Sequence, residues 1–350
     1  MRDSCLVGCM LGTAVGDAIG LPYEGVSRRR IPRLLGPPDR HRLIFGRGMI
    51  SDDTEHTCLV AQSLVVSGSD VDAFERDFAR RLRWWFASLP AGIGRATLRS
   101  CLRLWMGTAP KRSGVFSAGN GPAMRSAILG VYFDDVRLMA EFVRVSTRVT
   151  HSDPRAEHGA MAVALAAHIG CRDEIVDGRV FLERLAALVG DQGSELIDLL
   201  QRVLRSVSEG QPTDTFTMNS GMERGVSGYT YHTVPVVIHA WLTNPRDYRA
   251  AVSSVIECGG DTDTTAAIVG GIIGASTGES GIPSDWVNGI IEWPRSVHWM
   301  RRLSEQLNAS RSSRVASPLV STSYLASLVR NIGFFVIVLV HGFRRLFPPF

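Results

Sequence analysis

Two acidic clusters far apart in the chain, Ser51-Asp52-Asp53-Thr54 and Asp261-Thr262-Asp263-Thr264, hold the residue types best suited to chemistry. Each opens an apolar, helix-like stretch. Ser, Asp and Thr are also the commonest helix N-caps, because their oxygens satisfy free backbone N–H groups and complement the helix dipole. A cap needs one such residue, however. Asp52-Asp53 and Asp261-x-Asp263 set like charges within a few ångströms, at a cost that a cation or solvent must relieve. Folding that joined the clusters would gather two carboxylates and a hydroxyl from each into an all-oxygen cage, which fits a pair of hard divalent cations, Mg2+ or Mn2+.

The segments around the acids extend the pattern. Gly8, Gly12, Gly16 and Gly20 recur at every fourth residue, with Gly25 beyond them, and leave a bare stripe along one helix face where another helix can approach closely. Asp17 and the lack of a long apolar run make this a soluble core helix. Pro22 ends it at or near Gly20, which leaves Glu24 on a loop just beyond. Ser117-Ala-Gly-Asn-Gly121 precedes an apolar helical stretch from Ala123 to Val131; its small residues either expose N–H groups to an anion or form a simple turn with Asn120 as cap. Thr150-His-Ser-Asp-Pro154 reads as a junction between helices, with Ser152 or Asp153 capping and Pro154 in the first turn. His151 at that junction is either a ligand contact or a local hydrogen-bonding group. The aromatics of Gly228-Tyr-Thr-Tyr-His232 either stack on a base or fill a core.

In this order, Gly16-Asp-Ala-Ile-Gly-Leu-Pro-Tyr-Glu24, Ser51-Asp-Asp-Thr54, Gly119-Asn-Gly-Pro-Ala-Met-Arg125, Thr150-His151, Gly228-Tyr229 and Gly259-Gly-Asp-Thr-Asp-Thr264 resemble the motifs of the ADP-ribosylglycohydrolases. That family includes the hydrolase that reactivates dinitrogenase reductase and the ADP-ribosylarginine and ADP-ribosylserine hydrolases. The match runs from Gly8 to about Gly278. It implies an all-α fold, a compact single-domain orthogonal helical bundle with a dinuclear metal cleft at one end. It further implies Ser51, Asp52, Asp53, Asp261, Asp263 and Thr264 as ligands of two Mg2+ (or Mn2+) ions; Ser51 stands where many relatives have Thr. Glu24 matches a glutamate that closes over the site, Gly119, Asn120, Gly121 and His151 match segments that cradle ADP-ribose, and Gly228 and Tyr229 match a loop lining the same cleft.

The expected activity is metal-dependent hydrolysis of the N- or O-glycosidic bond between ADP-ribose and a protein side chain or small acceptor, through an oxocarbenium-like transition state. Glu24, Asp53 and Asp261 are the candidate catalytic carboxylates, and one of them deprotonates the attacking water. The same fold could instead hold ADP-ribose or a related nucleotide without turnover. A phosphatase reading of Asp261-Thr-Asp-Thr-Thr265 needs a lysine beyond the nucleophile, and Lys111 is the only lysine in the chain.

Composition sets the remaining bounds. The 350 residues, 45% hydrophobic and 21% charged, suffice for a large buried core. Helical periodicity recurs at Asp72 to Phe86, Asp135 to Val149, Arg155 to Ile169, Val180 to Val189, Ser194 to Val207 and Thr264 to Ala275, with no run of alternating strands. Six cysteines without a CxxC pair read as reduced thiols rather than a disulfide frame or zinc site, and no signal peptide is visible at the N-terminus. A cytoplasmic protein is expected. From Arg295 onward eight arginines face one acid, Glu305, yet no nucleic-acid reader motif accompanies them, so no nucleic-acid partner is expected.

The chain divides into a catalytic domain over 1–307, a Ser-, Asn- and Ala-rich flexible linker over 308–323 and an apolar, basic helix over 324–350. The uncharged run from Asn331 to Phe343 is too short to span a bilayer unaided. Ser323, Ser327, Arg330, His341 and Arg344 fall near one side of that helix, although Phe334 and Ile337 interrupt the stripe. Three placements fit: the surface of an anionic membrane, peripheral to its inner face; docking on the catalytic domain or a second subunit; or a true span.

Overall fold

The glycine stripe organises the centre of the molecule. The computed structural model describes residues 2–173, 175–312 and 319–345. Its first helix, Arg2–Gly20, packs against the helix Thr262–Thr277. A Cβ on Gly8, Gly12, Gly16 or Gly20 would stand 2.1 Å from the carbonyl oxygen of Gly274, 2.2 Å from Gly270, 2.0 Å from Ala266 or 2.3 Å from Thr262, in that order. The partner position steps back by four residues each time, so the two helices run antiparallel at backbone contact. The stripe is therefore a packing device. Gly16→Val is expected to force these backbones apart and to lower unfolding free energy by about 3 kcal/mol, measurable by urea denaturation.

The antiparallel register has a consequence for chemistry, because it sets the end of the first helix beside the start of Thr262–Thr277. Around this pair pack Asp52–Ser67, Ala127–Tyr132, Pro154–Arg172, Thr230–Thr243, Tyr248–Glu257 and Val297–Ser312. Val71–Ala87 covers Asp52–Ser67, and Gly178–Val189 and Ser194–Ser208 form an outer layer over Pro154–Arg172 and Thr230–Thr243. The described residues form nineteen α-helices and no strand; isolated bridges such as Ser27 to Gly259, Gly119 to Tyr229 and Val226 to Gly260 tie the loops together. The fold is the all-α single domain expected. Helical periodicity located elements closely: Val71–Ala87, Val136–Arg148, Pro154–Arg172, Gly178–Val189, Ser194–Ser208 and Thr262–Thr277 all lie within three residues of expectation. The stretch from Ala123 to Val131 is instead broken into Gly121–Met124 and Ala127–Tyr132.

At the other end of the chain, Val297–Ser312 continues through the first residues of the 308–323 segment. Residues 313–318 of that segment and 346–350 of the tail lie outside the described residues. Leu319 and Val320 pack against the core. The helix Tyr324–Arg344 then docks on the domain, one of the three placements the sequence allowed. Its inward face is mostly polar, with Ser327, Arg330, Asn331, Phe334 and His341 buried; Leu325, Val329, Ile332, Val336, Val340 and Phe343 point outward.

Candidate active site

Site geometry starts at the first residue after the Gly20 terminus. The helix stops at Gly20, Leu21–Tyr23 forms one 3-10 turn with Pro22 in its first positions, and Glu24 follows on the exposed rim. Its carboxyl is pushed up by desolvation and then by the charge of Asp261, with Arg345 opposing. The loop is stitched to the second cluster by the Gly25 N–H, which donates to the Gly260 oxygen at 2.8 Å, and by the Gly260 N–H, which donates to Val26 at 3.0 Å.

Ser51 behaves as both cap and candidate ligand. Its backbone is extended, and its Oγ accepts from the Asp53 N–H at 3.3 Å while donating to Asp53 Oδ2 at 3.0 Å. Thr264, on the remote helix, donates its hydroxyl to the same Asp53 Oδ2 at 3.3 Å. Segments more than two hundred positions apart thus meet at one carboxylate oxygen. The other oxygen of Asp53, Oδ1, is buried without a hydrogen-bond partner.

Asp261 occupies the N-cap position of Thr262–Thr277 but makes no side-chain cap bond. Its Oδ2 instead accepts from Asn120 Nδ2 at 2.7 Å, and Asn120 Nδ2 also reaches Thr233 Oγ1 at 2.9 Å. Asn120 likewise makes no cap bond to its own helix, so the simple capped turn is not what forms there; the amide points across to the acids. Gly228 lies beside both groups, since a Cβ there would sit 3.4 Å from Asp261 Oδ2 and 3.7 Å from Asn120 Oδ1. The Asn120 N–H donates to the Gly228 oxygen at 3.0 Å, which fixes the two loops together.

His151 is buried beneath this pair of loops. A Cβ on Gly119 would stand 3.0 Å from its Nε2, and one on Gly121 3.2 Å from its Cε1. Its Nδ1 pairs with Thr150 Oγ1 at 2.9 Å. Burial and then Arg125 push its pKa down to about 3, so the ring is neutral at physiological pH. Asp153 caps the following helix by accepting from the Arg155 N–H, with Pro154 in the first turn, as the junction requires. Of the two tyrosines that follow Gly228, Tyr231 is buried, whereas Tyr229 is half-exposed with the Arg155 guanidinium 5.8 Å from its ring centre.

The acids form one electrostatic unit. Asp53 is raised well above the usual carboxylate range by burial, then by Asp17, Asp52 and Asp261. Asp263 is raised by burial, then by Glu24, Asp261, Asp53 and Asp17, and Asp52 by desolvation, then by Asp17, Glu55 and Glu24. Asp263 therefore feels Glu24, Asp261 and Asp53, whereas Asp52 joins the group through Asp53 and Glu24. Asp17 was missed as a site residue. Its Oδ2 accepts from the Ser51 N–H at 2.8 Å, the Thr54 N–H at 3.2 Å and the Thr54 hydroxyl at 2.5 Å, so it anchors the start of the Asp52–Ser67 helix. Its Oδ1 is buried and unpartnered, and burial pushes its pKa up to about 6. The one available signal was an acid set within the glycine-faced part of its helix.

The donor set suits a hard cation: carboxylates and hydroxyls only, crowded like charges, and a buried carboxylate oxygen with nothing to accept from. Among the described residues, no three Asp, Glu, His or Cys side chains close on a single point at metal-ligand spacing. The groups are gathered, then, rather than locked into a finished cage.

Known proteins resemble this chain over most of its length. The chain is 32% identical to an uncharacterized protein of Archaeoglobus fulgidus, over 81% of this chain and 90% of that one. It is 28% identical to the ADP-ribosylhydrolase ARH3 of Gallus gallus, over 80% and 87% of the two chains. It is 27% identical to the ADP-ribosyl-[dinitrogen reductase] glycohydrolase of Rhodospirillum rubrum, over 81% and 88%. A solved structure titled ADP-ribosylglycohydrolase-related protein complex superimposes with a TM-score of 0.63 at 25% identity, covering 89% of this chain and 99% of that one. The model of one family, ADP-ribosylglycohydrolase, matches residues 2–316, a span that contains every acid of the site, and to that family this chain belongs.

Proposed function

We propose that this protein hydrolyses the glycosidic bond of ADP-ribose attached through nitrogen or oxygen to a protein side chain or small acceptor, releasing ADP-ribose, and that it depends on two Mg2+ or Mn2+ ions. The observation that carries this reading is the meeting of Asp53, Thr264, Asp261, Asn120 and Gly228 across four remote segments. Ser51, Asp52, Asp53, Asp261, Asp263 and Thr264 would hold the ions. When bound, these supply Lewis acidity toward ribose hydroxyls and water.

The protein's own residues do the rest. Breaking the ribosyl bond builds positive charge on the sugar, which a concentration of carboxylates stabilises. One of Glu24, Asp53 and Asp261 accepts the proton of the attacking water. Asn120, held by Thr233 and Asp261, fixes the direction of the Asp261 carboxylate. Gly119, Gly121 and Gly228 leave room for a ligand to approach backbone, and Tyr229 offers a half-exposed ring beside them. His151, neutral and fixed by Thr150, supports the Gly119–Gly121 segment from below.

Release of ADP-ribose measured with Mg2+, side by side on arginine-linked, serine-linked and O-acetylated conjugates, tests this. Turnover of at least one conjugate is expected. ADP-ribose binding with no turnover of any of the three would favour a silent binding protein of the same fold.

A further inference from the structure

The helix Tyr324–Arg344 lies outside the family match, which ends at residue 316, yet its buried polar face reaches two of the three segments that carry candidate acids, at Pro22–Glu24 and at Ile50. Arg330 is almost wholly buried. Its Nε and Nη2 donate to the two oxygens of Glu292 at 2.9 and 2.7 Å, and Nη2 also donates to the Ile50 carbonyl at 2.5 Å. Glu292 Oε2 in turn accepts from the Ile50 N–H at 3.2 Å. The Arg330–Glu292 pair therefore brackets both backbone polar groups of the residue directly before Ser51. One helix end later, His341 Nε2 meets the Pro22 carbonyl at 2.9 Å, and Arg345 Nη1 donates to the carbonyls of Pro22 at 3.2 Å and Glu24 at 2.7 Å.

Those contacts lie at two places where the site's geometry is set by loop backbone rather than by packed helix. The Pro22–Glu24 turn decides where the Glu24 carboxylate points, and the Ile50–Ser51 backbone decides where Asp52 and Asp53 begin. The helix seats Phe334, Ile337 and Val338 on Leu21, Leu43 and Met49, but most of its apolar side chains face outward, unlike those of an ordinary amphipathic helix. It buries hydrogen-bonding side chains and aims them at backbone carbonyls, which fixes loop position more sharply than apolar contact does. We propose that Tyr324–Arg344 is a positioning strap for the active site, with Arg345 and His341 holding the Glu24 loop and Arg330, through Glu292, holding the approach to Ser51. This rests on the hydrolase reading above.

The test uses the full chain carrying Arg345→Ala together with His341→Ala, and Arg345→Lys as the conservative variant. Two readouts are taken: kcat and KM on whichever conjugate the parent hydrolyses, and hydrogen exchange of the Glu24, Gly25 and Val26 amides. A misplacement of about 1 Å costs on the order of 10²-fold in rate, so kcat should fall by about 10- to 100-fold. KM should change little, Arg345→Lys should recover most of the loss, and exchange at the three amides should rise while the thermal midpoint holds. Parental kcat, or unchanged exchange in the double variant, would overturn the strap, as would a loss that tracks a collapsed thermal midpoint. If the parent hydrolyses no conjugate, the hydrolase reading fails by itself, and exchange at the loop still decides whether the helix holds it.

Discussion

Asp261→Asn is expected to lower kcat by about 10³-fold or more and to leave the fold intact. Asp261 makes no cap bond to its helix, so the substitution removes no backbone support. What it removes is a charge that bears on Glu24, Asp53 and Asp263, and relief of that repulsion stabilises the folded chain in the absence of cations. Activity and stability should therefore move in opposite directions: turnover lost, thermal midpoint in chelator at or above that of the parent. The pair of measurements is a release assay and a melting curve. Retained turnover would take Asp261 out of the mechanism, and a lower midpoint would show that its carboxylate is structural.

Removing divalent cations should have an effect of the same size. Asp52, Asp53 and Asp263 each carry mutual repulsion that desolvation deepens, and a bound cation turns that repulsion into attraction. Chelation is expected to abolish release of ADP-ribose, and either Mg2+ or Mn2+ to restore it. Each ion should stabilise the native state by about 2.7 kcal/mol at a hundredfold excess over its Kd, visible as a raised thermal midpoint. Full activity in chelator would exclude the two-ion reading while leaving the carboxylates as the candidate acid and base.

Much of this was legible because local rules and global fold agree. Glycine at every fourth residue has one strong structural use, and Gly8 to Gly20 serve it against Gly274 to Thr262. Pro22 ended the first helix where expected and put Glu24 on the rim. Two like-charged clusters, each with more acid than a cap requires, came together at Asp53 and Thr264.

The unread parts share a cause: they depend on which distant group a side chain meets. Asp17 looked like one of a few polar residues in a core helix, and nothing within its own segment announces the Ser51 and Thr54 donors it serves. Asn120 has the residue type of a cap, and only the arrival of Asp261 draws its amide elsewhere. Periodicity divided the C-terminal helix into a polar and an apolar side, but it does not say which side turns inward. Here a buried acid, Glu292, and three backbone carbonyls reward the polar one.

Titration of Mn2+ into the chelator-treated protein, for the parent, Asp53→Asn and Asp261→Asn, tests most directly whether the two ends of the domain build one site. Two ions per chain are expected for the parent, with binding of at least one of them weakened by either substitution alone. A parent that takes up no Mn2+, or two variants that titrate like it, would contradict a shared dinuclear centre.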